Sequence, residues 1–277
     1  MTQELATWAG ALEERPPQEI LALAAGRFAP RLGLATGFGA EGCVLIDMAA
    51  RQKLAIDFFT LDTGYLFPET YALWEELEDR YRITIRGVRP WSEALANAPP
   101  DADAPWRIDA DACCEARKVR PLRAELRKLD AWVTAIRRDQ TADRAGAMPV
   151  EWDARFGLVK VNPLVRWSEE EVAAYAKAYH VPLNPLLALG YSSIGCAPCT
   201  TPVAPGEDPR SGRWRGSSKT ECGLHARCAR VPLPRPAERG GGLGTPTLSL
   251  PSPFQGEGTG PSRIFRAIPG SEIEGTR

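Results

Sequence analysis

The stretch LGLATGFGAEGCVLIDMAARQ, residues 32–52, carries the pattern that decides the fold. Its first five residues form a short apolar run typical of a buried strand, and CVLIDMAARQ is typical of a helix. Between them, the turn GFGAEG would set a helix N-terminus and its main-chain N–H groups against an anion such as phosphate or sulfate. Alternatively, and with equal weight, the glycines serve only to let the chain bend tightly and bind no anion. The Gly-Lys-Ser/Thr ending of a Walker loop is missing, which disfavours ATP hydrolysis of that kind.

The same alternation of short apolar runs with helical segments continues from about residue 31 to residue 165. It predicts an α/β fold with an open parallel sheet. Strands are expected at residues 32–36, 55–61, 83–88, 132–136 and 158–161. FPETYALWEELEDRY (67–81) and SEEEVAAYAKAYH (168–180) predict helices, the second with Ser168 as N-cap and acidic residues in its first turn.

Composition places the 277-residue chain among globular proteins. Lys and Arg number 34 and Asp and Glu 35, so a net charge of −1 gives no global reason to expect nucleic-acid or membrane binding. No apolar run approaches the roughly 18 residues of a membrane span, and the N-terminus does not resemble a signal peptide. We therefore expect a cytoplasmic protein.

Two segments lack periodicity. Residues 141–153 mix Ala, Gly, Pro and charge, which predicts a mobile loop over the carboxyl edge of the sheet. Of the 52 residues from 226 to 277, 8 are Pro and 9 are Gly, which is typical of a disordered tail. The domain boundary is therefore expected after residue 225, with residues 1–225 as the catalytic domain.

Four of the seven cysteines form two pairs, Cys113-Cys114 and Cys196-x-x-Cys199. Without a secretion signal, reduced thiols, metal ligands or catalysis are expected before disulfides. Neighbouring cysteines on a helix point about 100° apart, so they suit two irons of a cluster better than one ion. Buried small side chains for the first pair, and a redox or zinc knuckle for the second, are the alternatives.

Two further segments carry chemistry suited to a multi-oxygen anion. GEDPRSGRWRG (206–216) spaces Arg210 and Arg213 for forked hydrogen bonds, and KTECGLH (219–225) gives Cys222 the basic neighbours Lys219 and His225, which favour a thiolate. Leu61, Asp62, Thr63 and Gly64 follow the second strand and could seat a base or ribose, although a simple helix entry explains them too.

Read together, these segments resemble the iron-sulfur, thioredoxin-dependent adenosine 5′-phosphosulfate (APS) reductases of the 3′-phosphoadenosine 5′-phosphosulfate (PAPS) reductase family. The resemblance covers residues 30–225. It is carried by CCEARKVRPL (113–122), IRRDQTADRA (136–145), NPLVRWSEEEV (162–172), NPLLALGYSSIGCAPCT (184–200), GEDPRSGRWRG and KTECGLH. It implies an adenine-nucleotide α-hydrolase-like sheet whose loop GFGAEG is a modified pyrophosphatase-type loop.

The resemblance also implies an oxidoreductase of assimilatory sulfate reduction that converts APS to sulfite and AMP, with thioredoxin as reductant. Cys222 is then the nucleophile, and Cys113, Cys114, Cys196 and Cys199 ligate one 4Fe-4S cluster. Lys118, Arg210, Arg213 and His225 are implied to bind the phosphosulfate, assisted by Arg137 or Arg138. The implied nucleotide-binding residues are Gly37, Phe38, Gly39, Leu61, Asp62, Thr63 and Gly64. A homo-oligomer stays open.

The chain departs from the family pattern at two positions of the anion turn. Gly37 replaces the usual Ser and Gly42 the usual Asp, which predicts weaker anion binding. Reduction of PAPS, by relatives that generally lack the cluster cysteines, is the nearest alternative. A non-catalytic cluster-bearing sensor would not need Cys222, and a tRNA-thiolating enzyme would need a basic RNA-binding module that the sequence lacks.

Overall fold

The computed structural model describes residues 2–95, 105–217, 219 and 222–224. The predicted tail and His225 lie outside this set. Strands are β1 (Leu32–Thr36), β2 (Asp57–Leu61), β3 (Ile85–Val88), β4 (Ala131–Val133), β5 (Val150–Asp153) and β6 (Leu158–Val161). Helices are α1 (Thr2–Leu12), α2 (Pro17–Phe28), α3 (Ala40–Arg51), α4 (Pro68–Tyr81), α5 (Ser92–Leu95), α6 (Pro105–Ile108), α7 (Ala110–Cys114), α8 (Arg120–Leu126) and α9 (Glu169–Ala178).

The strands form one sheet in the order β3-β2-β1-β4-β6-β5, and all neighbours are parallel except β5 and β6. The predicted α/β class is therefore confirmed. Chain order reverses between β1 and β4, so the loops that follow these two strands diverge and leave a crevice at the carboxyl edge of the sheet. Ligands of open α/β sheets bind at such a point.

The β1–α3 segment follows the opening pattern of the sequence. Strand β1 is buried, because it pairs with β2 on one side and β4 on the other. Helix α3 begins after Gly39 and is buried from Gly42 to Ala49, so it forms part of the main core with α2, α4 and α9. The predicted bounds of β1 and β6 are confirmed. Strands β2 and β3 each begin two residues later than predicted, and β4 covers residues 131–133 instead of 132–136.

One segment differs from its prediction. Residues 150–153 were expected within a mobile loop, and they instead form β5, the antiparallel edge strand beside β6. The prediction was wrong because VEWD is short and owes its extended form to pairing with β6, a contact that local periodicity does not reveal. No helix of the described residues is both long and apolar enough to cross a membrane.

Candidate active site

A cavity of about 250 Å³ lies at the crevice between β1 and β4. Its wall includes residues from the loops after both strands, together with Leu61 at the end of β2 and residues of the 193–213 segment. Of the predicted nucleotide-binding residues, Gly37, Phe38 and Leu61 line the cavity, whereas Gly39, Asp62, Thr63 and Gly64 are not part of its lining. The predicted loops therefore meet at one place, but only some of their residues face it.

The glycine-rich turn has an unusual conformation at Phe38. This residue has a positive φ of 60°, which a bulky side chain rarely adopts, and it is fully buried. Its main-chain N–H donates to Thr36 Oγ1 at 3.0 Å, and its ring stacks on Trp74 with centroids 5.8 Å apart. Packing of the ring holds the turn in this strained form at the N-terminus of α3.

The loop after β2 connects this cavity to the cysteines. Asp62 is buried and accepts hydrogen bonds from Tyr71 Oη (2.7 Å), Arg89 Nε (2.8 Å) and the Gly64 N–H (3.1 Å). Burial acts to raise the pKa of Asp62, but these hydrogen bonds outweigh burial and lower it. Thr63 Oγ1 lies 3.2 Å from Cys196 Sγ. Asp62 and Thr63 are thus occupied in shaping the loop.

The four cysteines of the two pairs line one small cavity, which they share with Tyr65, Trp106, Arg117 and Lys118. Cys113 and Cys114 end α7, whose N-terminus is capped by Asp109. Cys196 and Cys199 flank a single turn in which the Cys199 N–H donates to the Cys196 carbonyl at 3.0 Å. Among the residues that the structure describes, no three His, Cys, Asp or Glu side chains are arranged to hold one metal ion.

Lys118 lies where the two cavities adjoin and lines both. It belongs to a π-helical turn, Glu115–Val119, between α7 and α8, which changes the direction of its side chain relative to a regular α-helix. Burial acts to lower the pKa of Lys118, but the neighbouring Cys196 and Cys222 outweigh burial and raise it. Lys118 therefore stays a buried cation.

Arg213 also lines the cavity at the crevice between β1 and β4. Its guanidinium lies over the Trp214 ring at 4.5 Å and donates to Ser193 Oγ and the Ile194 carbonyl, both at 3.4 Å. A Cβ at position 195 would lie 2.3 Å from Arg213 Nη2, so Gly195 leaves the space that the guanidinium occupies. Burial lowers the pKa of Arg213.

Four cations line the cavity at the crevice between β1 and β4, Lys118, Arg144, Arg210 and Arg213, and no Asp or Glu is among its described lining residues. Cys222 is part of the same wall. This is a cationic site with a thiol in it, at the edge of the sheet where ligands bind. It can hold a multi-oxygen anion and neutralise charge beside a sulfur nucleophile.

The structure selects among the predicted cations. Arg137 forms ion pairs through Nε with Glu41 (3.0 Å) and through Nη1 with Asp139 (2.7 Å). Arg138 forms an ion pair with Glu13. Neither arginine is part of the cavity lining. Lys219 pairs with Asp111 and lies 5.5 Å from the Trp214 ring. Their roles toward the substrate stay predictions, as does that of His225.

Sequence reasoning missed Arg144, which lines the cavity. A signal was present, because Arg144 belongs to the same segment, RRDQTADR, as Arg137 and Arg138. Local sequence could not rank the three arginines, since Glu41 of α3 and Glu13, just beyond α1, engage the first two. Those acids come from distant parts of the chain.

The family model of the phosphoadenosine phosphosulfate reductase domain matches residues 31–202. The adenosine 5′-phosphosulfate reductase of Rhodococcus erythropolis is 45% identical over 183 residues, which cover 66% of this chain and 74% of that protein. The adenosine 5′-phosphosulfate reductase of Halalkalibacterium halodurans is 40% identical over 216 residues, 78% of this chain and 94% of that protein.

A solved structure extends the likeness to the fold. The phosphoadenylyl-sulfate reductase from Candida auris, in a phosphate complex, superposes with a TM-score of 0.64 at 30% identity, covering 73% of this chain and 98% of that chain. Sequence and fold agree, and the resemblance to this family is confirmed: the chain belongs to the phosphoadenosine phosphosulfate reductase family.

Proposed function

We propose that this chain is an adenylyl-sulfate reductase, which reduces APS to sulfite and AMP in sulfate assimilation with thioredoxin as the electron donor. One observation carries the proposal: Cys222 lies in the wall of a cavity lined by four cations and, among the described residues, by no acid. APS carries its negative charge on a phosphate and a sulfate joined by an anhydride. The cations can neutralise that charge while the thiol reaches the sulfur.

The first step follows from this arrangement. The Cys222 thiolate attacks the sulfate sulfur, a bond forms between the two sulfurs, and the bond from sulfur to the anhydride oxygen breaks with its electron pair leaving on AMP. Lys118, Arg210 and Arg213 hold the sulfonate and phosphate oxygens. Arg144, also in the cavity wall, supplies a fourth cation to the departing phosphate. The product is an S-sulfonate on Cys222.

In the second step a thioredoxin thiolate attacks the Cys222 sulfur and sulfite leaves with the electron pair of the S–S bond. The mixed disulfide is resolved by the second thiol of thioredoxin, and the Cys222 thiolate returns. Two electrons therefore pass from the dithiol to the sulfonate sulfur. His225, which lies outside the described residues, is proposed to bind the sulfate oxygens.

The donor set at the second cavity fits a 4Fe-4S cluster. Four thiols, three of them buried, line one small cavity; they come from two segments, and neighbouring Cys113 and Cys114 suit two different irons. When bound, a cluster would supply a local electrostatic field beside Lys118. This chain's own residues already prepare the site, since Thr63 contacts Cys196 and Arg117 Nη1 donates to the Thr63 carbonyl at 3.3 Å.

The second candidate is PAPS reduction. A phosphoadenosine 5′-phosphosulfate reductase of Gloeobacter violaceus is 42% identical over 217 residues, as similar as the APS reductases above. The presence of all four cluster cysteines favours APS. Sulfite release from APS and PAPS at equal concentration, with thioredoxin and anaerobically purified protein, distinguishes the two: faster turnover of PAPS would overturn the first choice.

A single-turnover experiment tests the chemistry. Incubation with APS and no thioredoxin should add one SO₃ group per active chain, which peptide mapping should place at Cys222, and thioredoxin should release it as sulfite. Cys222→Ser should bind nucleotide but form no adduct. An adduct on Cys43, which is buried behind the glycine turn, or sulfite production by Cys222→Ser would show that another residue is the nucleophile.

The cluster needs its own measurement. Protein purified without oxygen should contain about four irons and four acid-labile sulfides per chain. Cys114→Ser should lose both while the sheet remains folded by circular dichroism. Stoichiometric zinc without acid-labile sulfide would contradict a cluster and leave the thiol chemistry of Cys222 to be judged separately.

A further inference from the structure

Hydrogen bonds fix the conformation of the turn between β5 and β6, which carries Arg155. Asp153 Oδ1 accepts hydrogen bonds from the N–H groups of Arg155 (3.1 Å) and Phe156 (3.3 Å), and the Gly157 N–H donates to the Asp153 carbonyl at 2.7 Å. The carboxylate and carbonyl of one residue thus hold three main-chain donors. The position of Arg155 at the tip is set by the strands on either side.

Aromatic packing then limits where the Arg155 side chain can extend. Phe156 packs edge-on against Trp132, with ring centroids 5.9 Å apart, and Trp132 lines the cationic cavity. The Arg155 guanidinium lies over the Phe156 ring at 5.4 Å. A planar cation resting on an aromatic face keeps its donors in a narrow range of directions.

The Arg155 guanidinium contacts the chain segment that contains Cys222. Arg155 Nη1 donates a hydrogen bond to the Gly223 carbonyl. Gly223 has a φ of 83°, and a Cβ there would be 3.5 Å from both Arg155 Nη2 and Val119 Cγ2. The main chain directly after Cys222 is therefore held between Arg155 and the helical segment that carries Lys118.

Leu224 provides a second contact between the Cys222 segment and the rest of the domain. Leu224 packs against the apolar cluster that contains Leu122, Trp132 and Phe156, and it lines the cationic cavity. Cys222 itself lines that cavity on one side and, on the other, a second space of about 370 Å³ whose wall includes Arg155 and Lys219. The thiol is thus located between the substrate cavity and an opening beside Arg155.

We propose that Arg155 is a positioning residue that holds the Cys222–Leu224 segment, and with it the Cys222 thiol, against the substrate cavity. Arg155 is absent from the lining of that cavity and acts through the Gly223 carbonyl. The catalytic consequence of the proposal rests on the proposed function. Its structural consequence, the exposure of Cys222 when Arg155 is removed, does not.

The first arm of the test measures that exposure without substrate. Iodoacetamide alkylation of Cys222, followed by peptide mass spectrometry, should be about fivefold faster in Arg155→Ala, because one charge-assisted hydrogen bond no longer opposes release of the segment. Arg155→Lys keeps one donor and should give an intermediate rate. Arg166→Ala is the matched control, since Arg166 also donates to a main-chain carbonyl, that of Glu13 at 2.9 Å, and is absent from the lining of both cavities that Cys222 borders.

The second arm uses APS without thioredoxin. Arg155→Ala should slow S-sulfonation of Cys222 by about fivefold at low APS, whereas release of sulfite from an already sulfonated protein by thioredoxin should not slow. A structural defect in the fold would change both steps. Unchanged alkylation of Cys222 in both Arg155 variants, with normal circular dichroism, would overturn the proposal. Absence of any adduct in wild type would instead overturn the proposed function and leave the alkylation result in force.

Discussion

At the residue scale, Thr36 and Gly42 form a close pair behind the glycine-rich turn. Thr36 is buried, and its Oγ1 accepts the hydrogen bond from the Phe38 N–H. A Cβ on Gly42 would lie 2.7 Å from that oxygen. The glycine at position 42, a departure from the family pattern, therefore has a local steric reason in this chain.

Gly42→Ala should destabilise the protein by about 1–3 kcal/mol, because the new methyl group must displace Thr36 Oγ1. In a Thr36→Ala background, Gly42→Ala should lower the free energy of unfolding much less. The next atom, Cβ of residue 36, lies 3.6 Å from a Cβ at position 42, an ordinary contact distance. Urea unfolding of the four proteins of this double-mutant cycle measures the coupling. Equal costs of Gly42→Ala in both backgrounds would contradict the steric explanation.

Asp62 shows how a predicted binding residue can be engaged in structure. Its carboxylate accepts hydrogen bonds from Tyr71, Arg89 and the Gly64 N–H. These hydrogen bonds lower its pKa, although burial acts to raise it. The folded protein thus binds this proton less tightly than the unfolded chain. The ionised Asp62 carboxylate therefore adds to the free energy of unfolding. Its contribution is fully present above the ordinary Asp pKa of about 3.9 and is lost as pH falls through the lower folded-state pKa.

Asp62→Asn should lower the free energy of unfolding by about 1–3 kcal/mol at pH 7, where wild type has the paired carboxylate. The difference between the two proteins should shrink as pH falls toward 3, which urea unfolding at several pH values can follow. Asp130→Asn removes the exposed ion pair with Arg31 and should cost no more than about 1 kcal/mol. A difference for Asp62→Asn that grows toward low pH would reverse the assigned direction.

At the scale of elements, α9 illustrates a helix that local sequence specifies well. The predicted N-cap is confirmed: Ser168 Oγ accepts from the Glu171 N–H at 3.2 Å, and Glu171 Oε2 accepts from the Ser168 N–H at 2.7 Å. Both partners lie within four residues, so the motif can be read directly from SEEE. Strand β5 is the opposite case, because its partner β6 is needed to make it a strand.

Ser168→Ala should reduce the free energy of unfolding by about 1 kcal/mol through loss of the capping oxygen. Ser168→Asp keeps an acceptor at the same position and should stay close to wild type. Thermal unfolding of the three proteins in parallel provides the comparison. A full loss in Ser168→Asp would mean that something other than capping explains the stabilisation.

At the scale of the whole molecule, the sheet order assembles the site from regions far apart in the chain, among them the end of β2 and the helical segment that carries Lys118. The turns after β1 and β4 line the same crevice because these strands are neighbours where the chain order reverses. The 193–213 segment and the Cys222 segment then complete the wall. The family model ends at residue 202, and the Cys222–Leu224 segment beyond it is held by contacts with Val119, Arg155 and the apolar cluster around Leu122.

Truncation after Ala229 should leave the unfolding midpoint, the iron content and APS turnover unchanged. The removed residues lie outside the described set, and their Pro- and Gly-rich sequence predicts too little apolar surface to support the fold of the catalytic domain. Cys228→Ser in the full chain separates that thiol from the rest of the tail. A large loss of turnover in either protein would show that the tail takes part in the reaction.

The sequence by itself determined the α/β class, five of the six strands, the capped helix α9 and the two cysteine pairs, because each of these depends on neighbours close along the chain. It also carried the family resemblance. Only the tertiary structure decided which cations face the cavity: Arg144 does, whereas Glu41 pairs with Arg137 and Glu13 with Arg138. The physical reason is that an arginine pairs with the acceptors that folding brings within reach, and Glu41 and Glu13 are about a hundred or more residues from the arginines they bind.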